Sequence, residues 1–421
     1  MIEWILIGYM FLFIHRPFEV WPALADVHLE RIYMVGALLA VAVYPGKRWI
    51  GNWQHLAYLM FAAAVAMCWL VSPWATEGQQ VVEDWFKILV FYLLFVTVVH
   101  DEKTLKRMVF AFLVIMTVYL AHSFREYLGG RHTYRMGIGR MIGVDKSLSD
   151  PNSFGASIVY ALPFVTPFWV CHPNWKMRGF LAGYVGLSML CIALTGSRSA
   201  FVGLLFWGVV TVLRSQWRWR LALPAVLAAP LLWAALPESL QNRFETIIHP
   251  EVGPVIAQKS AEDRIEGLRV GWRLFEKSPI SGCGPGAWRP ATGRKLESHN
   301  LYGQLLGEMG SVGAVAFAAI LFCFWMNLRG VRRLCREHPQ GGQDFLARLS
   351  QAVGMAVLLL LFEGNFGHNL FRFSWLWYGG FLIVARHCVQ QRLAADRAAE
   401  RDIVWEDDEA GLPAYAQREF A

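Results

Sequence analysis

SVGAVAFAAILFCFWMN, residues 311–327, is a run of seventeen residues without Asp, Glu, Lys or Arg. A bilayer hydrocarbon core about 30 Å thick asks for about 20 mostly apolar residues per helix, and for fewer when flanking Trp, Tyr or Arg reach the interface. Trp325 and Arg329 supply such flanks here. The stretch is therefore read as a membrane-spanning helix. Outward from it, equivalent runs are expected to be helical at about 3–14, 30–44, 56–72, 85–100, 107–122, 154–171, 179–195, 199–213, 220–236, 350–366 and 373–388, making about twelve in all. Composition agrees. With 56% hydrophobic residues, 17% charged residues and a mean hydropathy of +0.36 over 421 residues, no soluble core accommodates this much apolar surface. The expected fold is an all-α polytopic membrane domain over 1–390, followed by a short amphipathic or disordered tail over 391–421. The first helix lacks a basic leading region and a small-residue cleavage site, so it is expected to be a retained span rather than a signal peptide.

Sidedness follows from Lys and Arg in the short connections. One alternate set holds Lys47 and Arg48, then Lys103, Lys106 and Arg107, then Lys176 and Arg178, then Arg214, Arg218 and Arg220, and finally Arg329, Arg332, Arg333, Arg336 and Arg348. These are expected to face the cytoplasm, as are both termini. The connection at 73–84 carries Glu77, Glu83 and Asp84 with no Lys or Arg, which fits an external loop.

Two external loops depart from this pattern. The first, 123–153, holds Arg125, Arg131, Arg135, Arg140 and Lys146, and the second, 237–310, holds nine basic residues that include Arg264, Arg269 and Arg273. Interleaved with aromatic and Gly-rich sequence, they suggest that something anionic is handled there, although long loops also escape the charge rule and solvate their charges freely. Within the long loop, 263–288 reads DRIEGLRVGWRLFEKSPISGCGPGAW. Ile265, Leu268, Trp272 and Phe275 recur at helical spacing, so an amphipathic helix is expected on the outer surface, with Arg264 near its start and Pro279 beyond its end. Glycines 282, 284 and 286 then suit either a tight re-entrant turn or a phosphate cradle.

Ser298-His299-Asn300 returns the chain to the membrane. Histidine changes charge near neutral pH and so suits a general base, although a lone histidine at the interface equally serves a structural role, while Asn300 either orients it or caps the helix. Thr195-Gly196-Ser197-Arg198-Ser199-Ala200 is a tight external link. Arg198 there either anchors to lipid headgroups or grips a diphosphate through two parallel hydrogen bonds. Asp150 and Asn152 precede the sixth helix, where a plain N-terminal cap competes with a binding role. Glu363, His368 and Arg372 surround the last external link. The seven cysteines form neither a disulfide framework nor a zinc-ligand spacing, so no metal or other cofactor is expected.

DPNSFGA at 150–156, TGSRSAF at 195–201, the 263–288 segment and SHNLYGQLLGEMGSVG at 298–313 together resemble the O-antigen ligase and polymerase superfamily of bacterial envelope glycosyltransferases. The resemblance is specific over roughly 150–330. It implies a GT-C-like membrane fold in the bacterial inner membrane and a periplasmic reaction in which a glycan on undecaprenyl diphosphate is passed to an acceptor hydroxyl. It implies an inverting, metal-independent glycosyltransferase in which Arg198 and Arg264 hold the diphosphate and His299 is the base. Asn300, Asp150, Asn152, Arg273, His368 and Arg372 are the further candidates for substrate binding. The acceptor it implies is a lipid A core sugar, for a ligase, or another lipid-linked repeat, for a polymerase. Ligase is slightly favoured by the single long, late loop, and a protein-glycosylating member would carry an added outer domain. No nucleic-acid partner is expected; membrane lipids are. Two rivals stand beside this reading. A transporter of the same lipid-linked glycans would place ionisable residues near the bilayer midplane and show internal repeats, neither of which is evident, and a scaffold binding an anionic polymer leaves His299-Asn300 without a role.

Overall fold

The computed structural model describes residues 2–135, 138–146, 148–172, 174–214, 218, 234, 238–245, 255–337 and 344–410. The described chain is almost wholly helical. Its helices are α1 (Ile2–His15), α2 (Pro17–Val20), α3 (Pro22–Asp26), α4 (Leu29–Val43), α5 (Trp53–Leu70), α6 (Ala75–Val98), α7 (Glu102–Leu128), α8 (Pro151–Ala161), α9 (Val165–Cys171), α10 (Trp175–Thr195) and α11 (Arg198–Arg214). They continue as α12 (Glu238–Glu245), α13 (Val255–Lys277), α14 (Trp288–Thr292), α15 (Leu301–Glu337), α16 (Phe345–Glu363) and α17 (Ser374–Ala410).

Six described helical segments are long and apolar enough to cross a membrane: α5, α7, the Pro151–Cys171 unit, α10, α15 and α16. The count of twelve is thus met in part. α1, α4 and α11 lie where spans were expected but have 14, 15 and 17 residues. α6 and α17 are long enough but dilute their apolar stretch with polar sequence at one end. The expected helix at 220–236 lies outside the described residues but for residue 234. The 73–84 connection is largely helix, because Gln79 and Gln80 hydrogen-bond Glu83 and Asp84 one turn on and draw the first turns of α6 out of the loop. Pro151–Cys171 is one unit interrupted by a 3-10 turn at Leu162–Phe164, where Pro163 removes a backbone donor. α17 runs past the expected end at 388 into the tail. An antiparallel hairpin, β1 (His132–Arg135) with β2 (Ile138–Met141), is the one strand pair among the described residues, and the alternation rules used for spans gave no hint of it.

Polar contacts divide between the two ends of the bundle. On the side expected to be cytoplasmic, the Arg48 amide donates to the Thr97 carbonyl at 3.0 Å, Arg392 reaches Asp344 at 3.3 Å, and Asn327 ties Asn52, Gln54 and Arg386 together. At the opposite end, Arg16 pairs with Glu19 at 2.6 Å and Asp84 at 3.3 Å, and Glu19 accepts from the Lys146 amide at 2.6 Å. The candidate residues belong to this second end.

Glycines set the placement of α13 on α15. Gly267 and Gly271 on one helix face Gly303 and Gly307 on the other, and a Cβ at Gly271 would lie 2.2 Å from the Gly303 carbonyl oxygen. Small residues four apart let two backbones touch, as in membrane helix pairs. The inward face of α13 is therefore Gly267, Val270, Gly271 and Leu274, whereas Ile265, Leu268 and Trp272 of the expected apolar stripe are exposed. The helix starts nine residues earlier than expected, so Arg264 lies mid-helix, and it ends at Lys277 just before Pro279.

Candidate functional site

The glycine run at 282–286 is a lock, not an open cradle. The amides of Cys283 and Gly284 donate to the carbonyls of Gly307 and Glu308 at 2.8 and 2.9 Å, and Gly286 N donates to the Glu308 carboxylate at 3.0 Å. Ser72 on the link after α5 donates to the Cys283 carbonyl at 2.6 Å. Gly282, Gly284 and Gly286 all have positive φ, and a Cβ on Gly282 would lie 2.5 Å from the Glu308 carbonyl carbon. The backbone donors face α15, where Gly310 (φ 58°) breaks the helical geometry and opens room for the turn. With α13 seated on α15 and the turn wedged beneath it, the segment carrying Arg264 is fixed against the segment carrying His299.

Arg264 is partly buried, and its guanidinium lies 4.7 Å from the centre of the Phe366 ring. Burial lowers its pKa from the ordinary arginine value; the like charge of Arg198 acts in the same sense, and Glu363 opposes it. Arg198, Arg264 and Glu363 thus share one electrostatic neighbourhood. Arg198 is the first residue of α11, and Gly196 in the left-handed region (φ 55°) makes the sharp exit from α10 that places it there. Ser199 hydrogen-bonds the Glu363 carboxylate.

His299 is half-buried at the start of α15, its ring centre 6.2 Å from that of His368. Gly267 lies alongside, since a Cβ there would be 3.5 Å from Asn300 and 3.6 Å from the His299 amide nitrogen. The Leu301 amide donates to the Gly364 carbonyl at 2.6 Å and ties this strand of the site to the end of α16. Burial pushes the His368 imidazole down to about 4, with Arg372 and His299 acting in the same sense and Asp150 against it. His368 is therefore neutral at pH 7.

The other candidates separate by role. Asn300 accepts from the amides of Tyr302 and Gly303, both at 3.0 Å, and caps α15. Asp150 accepts from Ser153 N at 2.8 Å and caps α8. Asn152 accepts from Arg140 at 2.8 Å and, with Ser199, Glu363, His368, Asn369 and Arg372, lines a cleft at this end of the bundle. Arg372 faces Asp145, whose carboxylate also accepts from the Tyr119 hydroxyl. Arg273 stands apart. Nine residues from Arg264 on one helix, at about 100° per residue, it projects from the opposite side, where it is exposed beside Glu266 at 3.9 Å.

Sequence reasoning placed Arg140 among the loop charges that meet an anion. It is instead 1% exposed, with Nε donating to the Thr195 carbonyl at 2.6 Å and a second nitrogen to Asn152. It thereby staples the turn before Arg198 to the start of α8. Gly155 completes that contact, since a Cβ on it would lie 2.8 Å from Ala200 Cβ. Glu363, noted in the sequence only as part of an external inventory, turns out to lie beside Arg264 and Ser199. Among the described residues, no group of three or more His, Cys, Asp or Glu side chains is arranged to hold a metal ion.

These features define a multi-pass membrane protein with two helix-borne arginines and a histidine gathered at one end. Residues 183–318, which contain Arg198, Arg264 and His299, match the protein-family model described as O-antigen ligase, and this supports placing the chain in the O-antigen ligase and polymerase superfamily. No curated protein matches the chain.

Proposed function

We propose that the protein is an O-antigen ligase-like glycosyltransferase that moves a glycan from undecaprenyl diphosphate to an acceptor hydroxyl at the periplasmic face of the bacterial inner membrane. The observation that carries this reading is the convergence of Arg198, Arg264 and His299 from α11, α13 and the mouth of α15. The two guanidiniums suit a diphosphate, to which each can offer paired N–H donors. In the step, the acceptor oxygen attacks the anomeric carbon while the bond from that carbon to the diphosphate oxygen breaks. The bonding pair leaves on the diphosphate, where the arginines stabilise the added charge, and the acceptor proton passes to His299. Attack opposite the leaving group inverts the anomeric centre, and the residues named need no metal for any of these roles. The full set of about twelve spans and a GT-C-like arrangement belong to the same proposal.

A polymerase extending a second lipid-linked repeat would use the same residues. A transporter is disfavoured because the arginines and His299 gather at one end of the bundle. The test compares donor binding with turnover. His299→Ala is expected to abolish transfer while retaining donor affinity, whereas Arg198→Ala and Arg264→Ala are expected to weaken both. Normal transfer by the His299 variant, or unchanged donor affinity in both arginine variants, contradicts the assignment.

A further inference from the structure

We infer that the groove between α7, α9 and α10, at the end of the bundle away from Arg198, Arg264 and His299, holds an anionic phospholipid of the leaflet expected to be cytoplasmic. α10 runs from Trp175 at this end to Thr195, next to the turn before Arg198, and its 21 residues separate the two ends by about 30 Å. Occupancy of the groove is therefore independent of the transfer reaction proposed above.

The groove has a volume of about 490 Å³, within the range of about 300–1,000 Å³ common to ligand pockets. Its polarity is graded with depth. Lys103, Lys106 and Arg107, in the first two turns of α7, line the mouth together with Glu102. Phe110, one turn further along α7, and Phe168 of α9 line the interior, with ring centres 5.6 Å apart, and Phe110 also meets Phe180 of α10 at 5.4 Å. Met177 of α10 supplies the third wall. α7, α10 and the Pro151–Cys171 unit that contains α9 are all long and apolar enough to cross a membrane, so lipid is the medium along these walls.

The level of the mouth follows from its flanks. Trp169 and Trp175, next to Phe168 and beside Met177 in the chain, are 41% and 76% exposed. Arg178 lies 5.8 Å from the centre of the Trp169 ring, and Lys176 5.8 Å from that of Trp175. Exposed tryptophan and basic side chains together mark the depth at which lipid headgroups meet hydrocarbon.

Charge selects the headgroup. Glu102 is shared by Lys106 and Arg392, and Arg107 pairs with Glu3. Lys103 is exposed, with no carboxylate in ion-pair range among the described residues, and Lys176 and Arg178 add two further cations. The mouth is thus left with an excess of positive charge. A phosphodiester with net negative charge complements it, whereas a zwitterionic head brings a cation of its own. Basic pockets between membrane helices on the cytoplasmic side take anionic headgroups on this principle. The aromatic interior asks for an acyl chain, which a soluble phosphate lacks.

The test is native mass spectrometry of the full-length protein, delipidated in detergent and titrated with phosphatidylglycerol, with phosphatidylcholine of the same acyl chains, or with glycerol phosphate. Wild type is expected to take its first phosphatidylglycerol about tenfold more tightly than phosphatidylcholine and to retain no glycerol phosphate. Lys103→Glu is expected to remove most of that preference, since a basic residue near the headgroups contributes about 1 kcal/mol. Arg333→Glu, the same reversal at a side chain 78% exposed on α15 and outside the groove, is expected to leave it intact. Met177→Trp fills the groove without changing its charge and is expected to weaken phosphatidylglycerol binding about tenfold. Equal wild-type affinity for the two lipids overturns the inference, as does an equal loss in Lys103→Glu and Arg333→Glu, which marks general attraction to a basic protein. Glycerol phosphate bound as tightly as the phospholipid reassigns the groove to a soluble anion. Undiminished phosphatidylglycerol binding in Met177→Trp places the lipid elsewhere.

Discussion

Gly271→Ala tests whether the glycine seam sets the distance between the arginine helix and the histidine. The added Cβ would lie 2.2, 2.5 and 2.6 Å from the oxygen, Cα and carbonyl carbon of Gly303, all backbone atoms that cannot rotate away. Carbon contacts under 3.0 Å essentially do not occur, so α13 and α15 must separate by at least about 0.8 Å at this point. Arg264 lies about two turns from Gly271 and moves with the helix. Overpacking of this kind costs about 1–3 kcal/mol, which a well-packed membrane bundle is expected to survive. Its effect on transfer is larger, because misplacing a reacting group by about 1 Å costs on the order of 10²-fold in rate. The assay is glycan transfer under single turnover, with thermal unfolding measured in parallel and Gly186→Ala, where a Cβ meets nothing within 4 Å, as the control. The expected result is a loss of about 100-fold in Gly271→Ala with a monodisperse, folded protein and no change in the control. Transfer within threefold of wild type would refute the view that backbone contact on this seam positions the site.

Arg264→Lys is expected to recover little of the donor affinity lost in Arg264→Ala, since a point charge lacks the paired donors of guanidinium; titration with the donor lipid checks this. Arg140→Met should lower stability by about 2–4 kcal/mol, because it leaves the buried Thr195 carbonyl and the partly buried Asn152 without their partner, and denaturation in detergent reads the loss. The low His368 pKa sets a pH trend. An imidazole that titrates near 4 when folded and near 6.5 when unfolded binds fewer protons in the native state between those values. Its contribution to stability is complete above about pH 6.5 and is lost as pH falls toward 4. The thermal midpoint should fall across that window, and His368→Gln should flatten the fall.

Much of this architecture was legible in the sequence because lipid imposes a simple rule: apolar runs of the right length become helices, and their basic connections lie on one side. The end of α13 before Pro279 followed from local chemistry, as did the caps at Asp150 and Asn300. Other features depended on tertiary contact. Ile265, Leu268 and Trp272 have the periodicity of a packed face, yet that face is exposed because Gly267 and Gly271 allow closer contact with α15 than any side chain would. Two Gly-x-x-x-Gly pairs, 267–271 and 303–307, were the available signal. Arg140 looked like one of many loop charges, and its burial depends on the hairpin 132–141 folding over the turn at Thr195. Glu363 ends an apolar run, and only the approach of α11 and α13 reveals that it lies beside Ser199 and Arg264.

Transfer by the purified protein in nanodiscs tests the central claim most directly. The reaction contains an undecaprenyl-diphosphate glycan as donor, lipid A core as acceptor and EDTA. The account predicts glycosylated core in wild type and none in His299→Ala, although the variant retains donor affinity. Wild-type extension of a second donor with no product on the core would instead assign a polymerase. Donor binding without transfer to either acceptor, or transfer that survives in His299→Ala, would contradict the account.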